Sequence, residues 1–160
     1  MSYESTSVSI SKSQDELRKL LLRHEGSSVA FVSEPEKEGF QAMVPIDGKL
    51  YHVRIMARMR VCLPKNIKGR HYRGRWIAPR TVNDEREAEA RRIWRVIYYH
   101  VKSVFDTADA GVMEFRELIL PYIVTKDGGT IAEHILPKLD QALSGRADRF
   151  LSAGDSDARK

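Results

Sequence analysis

The segment from Phe40 to Arg60, FQAMVPIDGKLYHVRIMARMR, decides the fold. It alternates apolar and polar residues on both sides of Asp47-Gly48. An Asp-Gly pair between alternating runs is the strongest short hairpin signal, because both central residues of the turn take positive φ. A two-residue turn pairs Ile46 with Lys49, Val44 with Tyr51, Ala42 with Val53 and Phe40 with Ile55. The apolar members of both strands then share one face, as a half-buried sheet requires. Ala57, Met59 and Val61 continue that face. The opposite face of the second strand reads His52, Arg54, Met56, Arg58, Arg60, a basic stripe joined from the first strand by Gln41 and Met43. A bulge near Met56 would move the later residues to the other side.

Upstream, Ser13-Gln14-Asp15-Glu16 fits a capping box. Leu17, Leu20, Leu21 and His24 follow at helical spacing, predicting a helix over 14–24 with Gly26 in the left-handed position past its end. Residues 1–12 are rich in Ser and are expected to be loosely ordered. Val29-Ala30-Phe31-Val32 reads as a short strand, and 35–39 as a charged turn. Downstream, 64–79 has no clean period and is expected to be a long mobile loop, a kind that is usually functional or disordered. Asp84, Glu85, Glu87 and Glu89 suit a helix N-terminus. Ala90, Ile93, Trp94, Ile97, Val101, Val104 and Phe105 extend that helix to about residue 108. A shorter helix follows over 113–120 with Phe115, Leu118 and Ile119 inward, then a turn at Asp127-Gly128-Gly129. Thr130 to Glu133 is a second capping box, opening a helix to residue 143 that Pro137 strains or breaks. Residues 145–160 are expected to be a disordered tail.

The chain has 160 residues, 27 Lys+Arg, 22 Asp+Glu, a formal net charge of +5, 42% hydrophobic residues and one cysteine. That length suits one domain, 13–144, with a real core. One cysteine excludes an internal disulfide and four-cysteine zinc sites. No apolar run is long enough to span a membrane, and the polar first residues lack a secretory core, so a cytoplasmic setting is expected. The charge is uneven. Gly48 to Asn83 contains no acid in 36 residues and ten cations: Lys49, Arg54, Arg58, Arg60, Lys65, Lys68, Arg70, Arg73, Arg75 and Arg80. The other 124 residues hold 17 cations against all 22 acids. Such asymmetry points to a polyanionic partner.

Clustered Lys and Arg bind phosphates by releasing condensed counterions, and Tyr72 and Trp76 within the run supply rings on which unpaired bases stack. The two rings would equally serve to pin the loop to the core, and a charge run is usually a solvated surface. His24, His52, His71, His100 and His134 are too widely spaced for a metal site. His71 among Arg70, Arg73 and Arg75 would suit a metal-free ribonuclease, with a guanidinium stabilising the transition-state charge. Phosphate-binding glycine loops, serine elbows and kinase motifs are absent, and no cofactor is implied. Cys62, close to Arg60 and Lys65, reads as a small buried residue at a strand end.

The stretches Ile46-Asp47-Gly48-Lys49 with Val53-Arg54, Glu89 to Arg95, and Phe115-Arg116-Glu117 through Tyr122-Ile123-Val124 to Asp127-Gly128-Gly129-Thr130 resemble small bacteriophage and prophage proteins of uncharacterised function, over about residues 14–143. The resemblance implies a phage setting and carries no catalytic residues. In element order alone, three strands followed by a long helix is similar to single-strand annealing proteins.

The expected fold is α+β: an N-terminal helix, a three-stranded antiparallel meander, then a long helix and two shorter helices packed on one sheet face. The expected activity is non-enzymatic binding of single-stranded DNA or RNA, in phage recombination or replication. The site residues would be Arg54, Arg58, Arg60, Lys65, Lys68, Arg70, Tyr72, Arg73, Arg75, Trp76 and Arg80. The rival expectation is a phage-encoded inhibitor or adaptor that engages an acidic protein surface.

Overall fold

A computed structural model describes residues 7–60, 70–79 and 81–139. The order is α1 (Ile10–Arg23), β1 (Ser27–Glu34), β2 (Lys37–Ile46), β3 (Lys49–Arg58), β4 (Arg70–Tyr72), β5 (Arg75–Ile77), α2 (Val82–Asp109) and α3 (Phe115–Ile119), with a 3₁₀ turn over Leu120–Tyr122. The last helix among the described residues, α4, covers 131–139. β1, β2 and β3 form an antiparallel meander in that order. This is the expected α+β arrangement. Among the described residues, no helix is long and apolar enough to cross a membrane.

The β2–β3 register is the one that period two dictates. Ile46 faces Lys49, Val44 faces Tyr51, Ala42 faces Val53 and Phe40 faces Ile55. Asp47 and Gly48 take φ of 49° and 77°. The pairing continues without a bulge to Gly39 opposite Met56 and Lys37 opposite Arg58. Phe40, Ala42, Val44, Ile46, Val53 and Ile55 are buried with Leu17 and Leu21 of α1 and with Ile93, Trp94, Ile97, Val101, Val104 and Phe105 of α2. Burying such side chains contributes roughly 1.5–3 kcal/mol each, the dominant favourable term.

Several local boundaries differ from the sequence reading. α1 starts at Ile10, so residues 10–12 belong to it. Its N-cap is Ser9, whose hydroxyl accepts from the Lys12 amide at 3.2 Å, not Ser13. Ser13 lies on the inward face and is fully buried. Past the end of α1 the left-handed residue is Glu25 (φ 60°), and the Gly26 amide donates to the Leu21 carbonyl at 2.8 Å. The charged turn shrinks to Pro35-Glu36, because Lys37 already pairs with Glu34. β1 carries an irregularity between Ser27 and Ala30, where Ser28 has φ 51°. α2 is capped by Thr81 and Asp84, each accepting a backbone amide of the other. α4 opens with the expected capping box: the Thr130 amide donates to Glu133 at 2.7 Å and the Glu133 amide to the Thr130 hydroxyl at 3.3 Å. The helix runs on through Pro137 to residue 139. The expected N-terminal disorder over 1–6, and the tail from 145, lie outside the described residues.

On its core face, β2 carries an acid. Glu38, read from sequence as part of a turn, is buried in β2. Its Oε2 accepts from the Trp94 indole at 3.0 Å and its Oε1 from the Ser33 hydroxyl at 2.7 Å. A buried polar group is tolerable when paired and costly when orphaned. Beside it, a Cβ on Gly39 would lie 2.1 Å from the Ile55 carbonyl oxygen, so β2 approaches β3 there without room for a side chain. Trp94→Phe keeps most of the ring volume and removes the donor. Its stability to urea should fall by about 1–3 kcal/mol, the penalty for an orphaned buried acceptor. An unchanged urea midpoint would show that Glu38 does not depend on the indole.

Candidate nucleic-acid interface

The basic stripe exists, but it is not free of acids in space. His52, Arg54 and Met56 are half-buried on the outer face of β3, and Arg58 at its end is exposed. His52 Nε2 lies 3.1 Å from Gln41 Oε1 on the neighbouring strand. The chain returns along the β3 edge, where the Val124 amide donates to the His52 carbonyl at 2.8 Å and Ile123 bridges to Val53. That return brings Glu133 of α4 to Arg54, with Oε2 3.0 Å from Nη2. The Glu133 carboxyl is held below the ordinary glutamate range, first by the Thr130 amide and then by Arg54, against an opposing effect of burial. Arg60 is exposed just past β3, and its amide donates to Glu89 Oε1 at 3.2 Å.

The segment expected to be a loop contains a β-ribbon. β4 and β5 pair Arg70 with Ile77, His71 with Trp76 and Tyr72 with Arg75. The turn is Arg73-Gly74, with φ of 48° and 75°, the same doubly positive geometry as at Asp47-Gly48. Tyr72 and Trp76 are each 56% exposed, so neither ring pins the segment to the core. Directly paired residues share a face. His71 and Trp76 therefore occupy one face of the ribbon, with ring centroids 5.0 Å apart. Tyr72 and Arg75 occupy the other, with the Arg73 guanidinium 5.5 Å from the Tyr72 ring. The two aromatic residues do not form one common platform.

Of the sequence-derived site residues, Lys65, Lys68 and Arg80 lie outside the described residues, as does Cys62, and of Arg70 only the backbone is described. Arg58, Arg73 and Arg75 have no carboxylate partner among the described residues. Sequence reasoning missed Lys37 and Arg86, since each is surrounded by acids along the chain. Lys37 faces Arg58 across the strands, and Arg86 Nη2 contacts the Glu34 carbonyl at 3.4 Å.

Among the described residues His71 has a ring neighbour in Trp76 but no hydrogen-bonding partner to orient it as a base. A second polar cluster looks closer to a catalytic relay: His134 Nε2 lies 2.9 Å from the Thr125 hydroxyl and 3.3 Å from the Asp127 carboxylate. A relay needs nucleophile and acid on different ring nitrogens. Here both face Nε2, so the cluster locks the 125–130 turn. Asp127 is held below the ordinary aspartate range, first by the Thr125 hydroxyl. Among the described residues no three His, Cys, Asp or Glu side chains are grouped to hold a metal ion.

No protein-family model matches the chain, and no curated protein or solved structure matches it.

The junction of β3 and α2 is held by Glu89, which accepts from Arg92 Nε and Nη2, each at 2.7 Å, and from the Arg60 amide. Its carboxyl lies below the ordinary glutamate range, chiefly through the Arg92 hydrogen bonds, with burial opposing them. A depressed carboxyl contributes stability above its unfolded value, and that stability is lost as pH falls through the folded value. Glu89→Gln should therefore flatten the acid limb of a urea-midpoint profile below about pH 4.5. A limb as steep as the parent's would place the acid sensitivity elsewhere.

Proposed function

We propose that the protein binds single-stranded nucleic acid without catalysis, gripping phosphates with Arg54, Arg58 and Arg60 at β3 and with Arg73 and Arg75 on the β4–β5 ribbon. Lys65, Lys68, Arg70 and Arg80 belong to the same basic run of sequence. The observation that carries the reading is the ribbon itself. It holds two large rings in water, next to two arginines that no described carboxylate neutralises. Aromatic rings beside unpaired guanidinium groups suit bases and phosphates together. The resemblance to phage proteins suggests a phage setting, in which binding of single strands would suit recombination or replication. An acidic protein surface would satisfy the arginines as well, and Tyr and Trp also anchor protein interfaces; absence of strand binding would favour it.

Fluorescence anisotropy with a labelled single strand of about 30 nucleotides should show binding whose log K falls with log salt by roughly 0.7 per phosphate contact. No binding at about 50 mM salt would overturn the reading. Trp76→Ala should weaken single-strand binding by about 1–3 kcal/mol and duplex binding by less.

Glu133→Gln offers a gain of function. Glutamine still caps α4, but the charge that occupies Arg54 is gone. Affinity should rise and the salt slope steepen by roughly 0.7, one further phosphate contact. An unchanged slope would remove Arg54 from the binding surface.

A further inference from the structure

Three separate parts of the chain meet in a groove of about 620 Å³. They are the β1–β2 turn with Lys37, the chain leaving β3 with Arg58 and Arg60, and the first turns of α2 with Val82 and Arg86. Four cations line it against one acid, Glu36. Lys37 and Arg58 are direct cross-strand partners, both exposed. Like charges directly opposite in a sheet are destabilising. Neither has a carboxylate partner among the described residues. The fold thus keeps a repulsive pair where a neutral residue would serve stability better, and an anion between them would reverse the sign.

The groove is also braced before any ligand arrives. The Met59 amide donates to the Glu36 carbonyl at 2.8 Å, which ties the end of β3 to the turn. The next amide, Arg60, is held by Glu89, and Arg86 reaches the Glu34 carbonyl. The backbone carrying the cations is therefore fixed from both sides, so little ordering entropy remains to be lost on binding. Its volume lies within the range of sites that hold a nucleotide-sized ligand and is far larger than a single inorganic anion needs.

We propose that this groove is a phosphodiester-binding site, in which Lys37, Arg58, Arg60 and Arg86 straddle the backbone of a bound single strand. The inference rests on the nucleic-acid reading and adds Lys37 and Arg86 to it. Both side chains are exposed, so their replacement spares the core. In Lys37→Gln/Arg86→Gln, single-strand affinity at about 100 mM salt should drop at least roughly tenfold, and the salt slope should become shallower by about 1.4, two phosphate contacts. Parent-like affinity and slope in this variant, while Arg73→Gln/Arg75→Gln loses binding, would overturn the groove and leave the nucleic-acid reading standing. Amide chemical shifts distinguish the ligand. Tri-thymidine should shift Lys37, Arg58, Met59 and Arg60 at concentrations where inorganic phosphate does not. Equal response to inorganic phosphate, or no response to either, would overturn the phosphodiester assignment. Failure of the parent protein to bind any long strand, with tri-thymidine shifts retained, would overturn the single-strand reading and leave only a phosphodiester site for short ligands.

Discussion

The indole N–H of Trp94 donates to Glu38 inside the core, and the Ser33 hydroxyl donates to the other carboxyl oxygen. This one carboxyl joins β1, β2 and α2. Removing any member leaves a polar atom buried and unpaired, which costs more than the bond itself contributes. The Trp94 ring also meets Phe31 edge-on at 5.4 Å, so the same side chain sets both the height and the rotation of α2 over the sheet. From there the apolar stripe Ile97, Val101, Val104 and Phe105 follows down the helix. In the opposite direction, Arg86 lies about 12 Å up the axis at 1.5 Å per residue. It thereby reaches Glu34 and the β1–β2 turn. The position of the cationic groove is thus a consequence of how Trp94 is anchored.

Charge separation along the chain and charge separation in space are different quantities in this protein. The 36-residue window from Gly48 to Asn83 contains no acid. Yet Arg54 is paired with Glu133, and the backbone at Arg60 is held by Glu89. Among the described residues Arg54 is thus paired with an acid from outside the window, while Lys37 and Arg86 join from stretches that look acidic when read linearly. Among the described residues, the basic surface is made of partly different residues from the basic segment.

The β2–β3 hairpin was legible because period two and a doubly positive turn are local properties. The long helix was legible because its apolar residues recur at three and four over many turns. The β4–β5 ribbon was not, since strands of three residues are too short to display a period, and its Arg73-Gly74 turn lacks the usual Asn or Asp. The start of α1 is ambiguous in the sequence because both Ser9 and Ser13 precede helix-compatible residues. Only burial shows that Ser13 faces inward, leaving Ser9 to cap. Glu38 reads as turn chemistry for a similar reason: nothing near it in the chain reveals a tryptophan donor 56 residues away.

By itself, the sequence determined the antiparallel hairpin, its register, the sorting of its side chains into an apolar and a basic face, and the amphipathic helix that covers the apolar one. Each of these follows from backbone geometry within a few residues. Tertiary structure alone decided which cations stay unpaired, which aromatic residues face water and where the groove lies. Those outcomes depend on contacts across 79 residues for Arg54 with Glu133, 52 for Arg86 with Glu34 and 29 for Arg60 with Glu89. Electrostatic and hydrogen-bond energies depend on distance in space, and a linear sequence carries no measure of it.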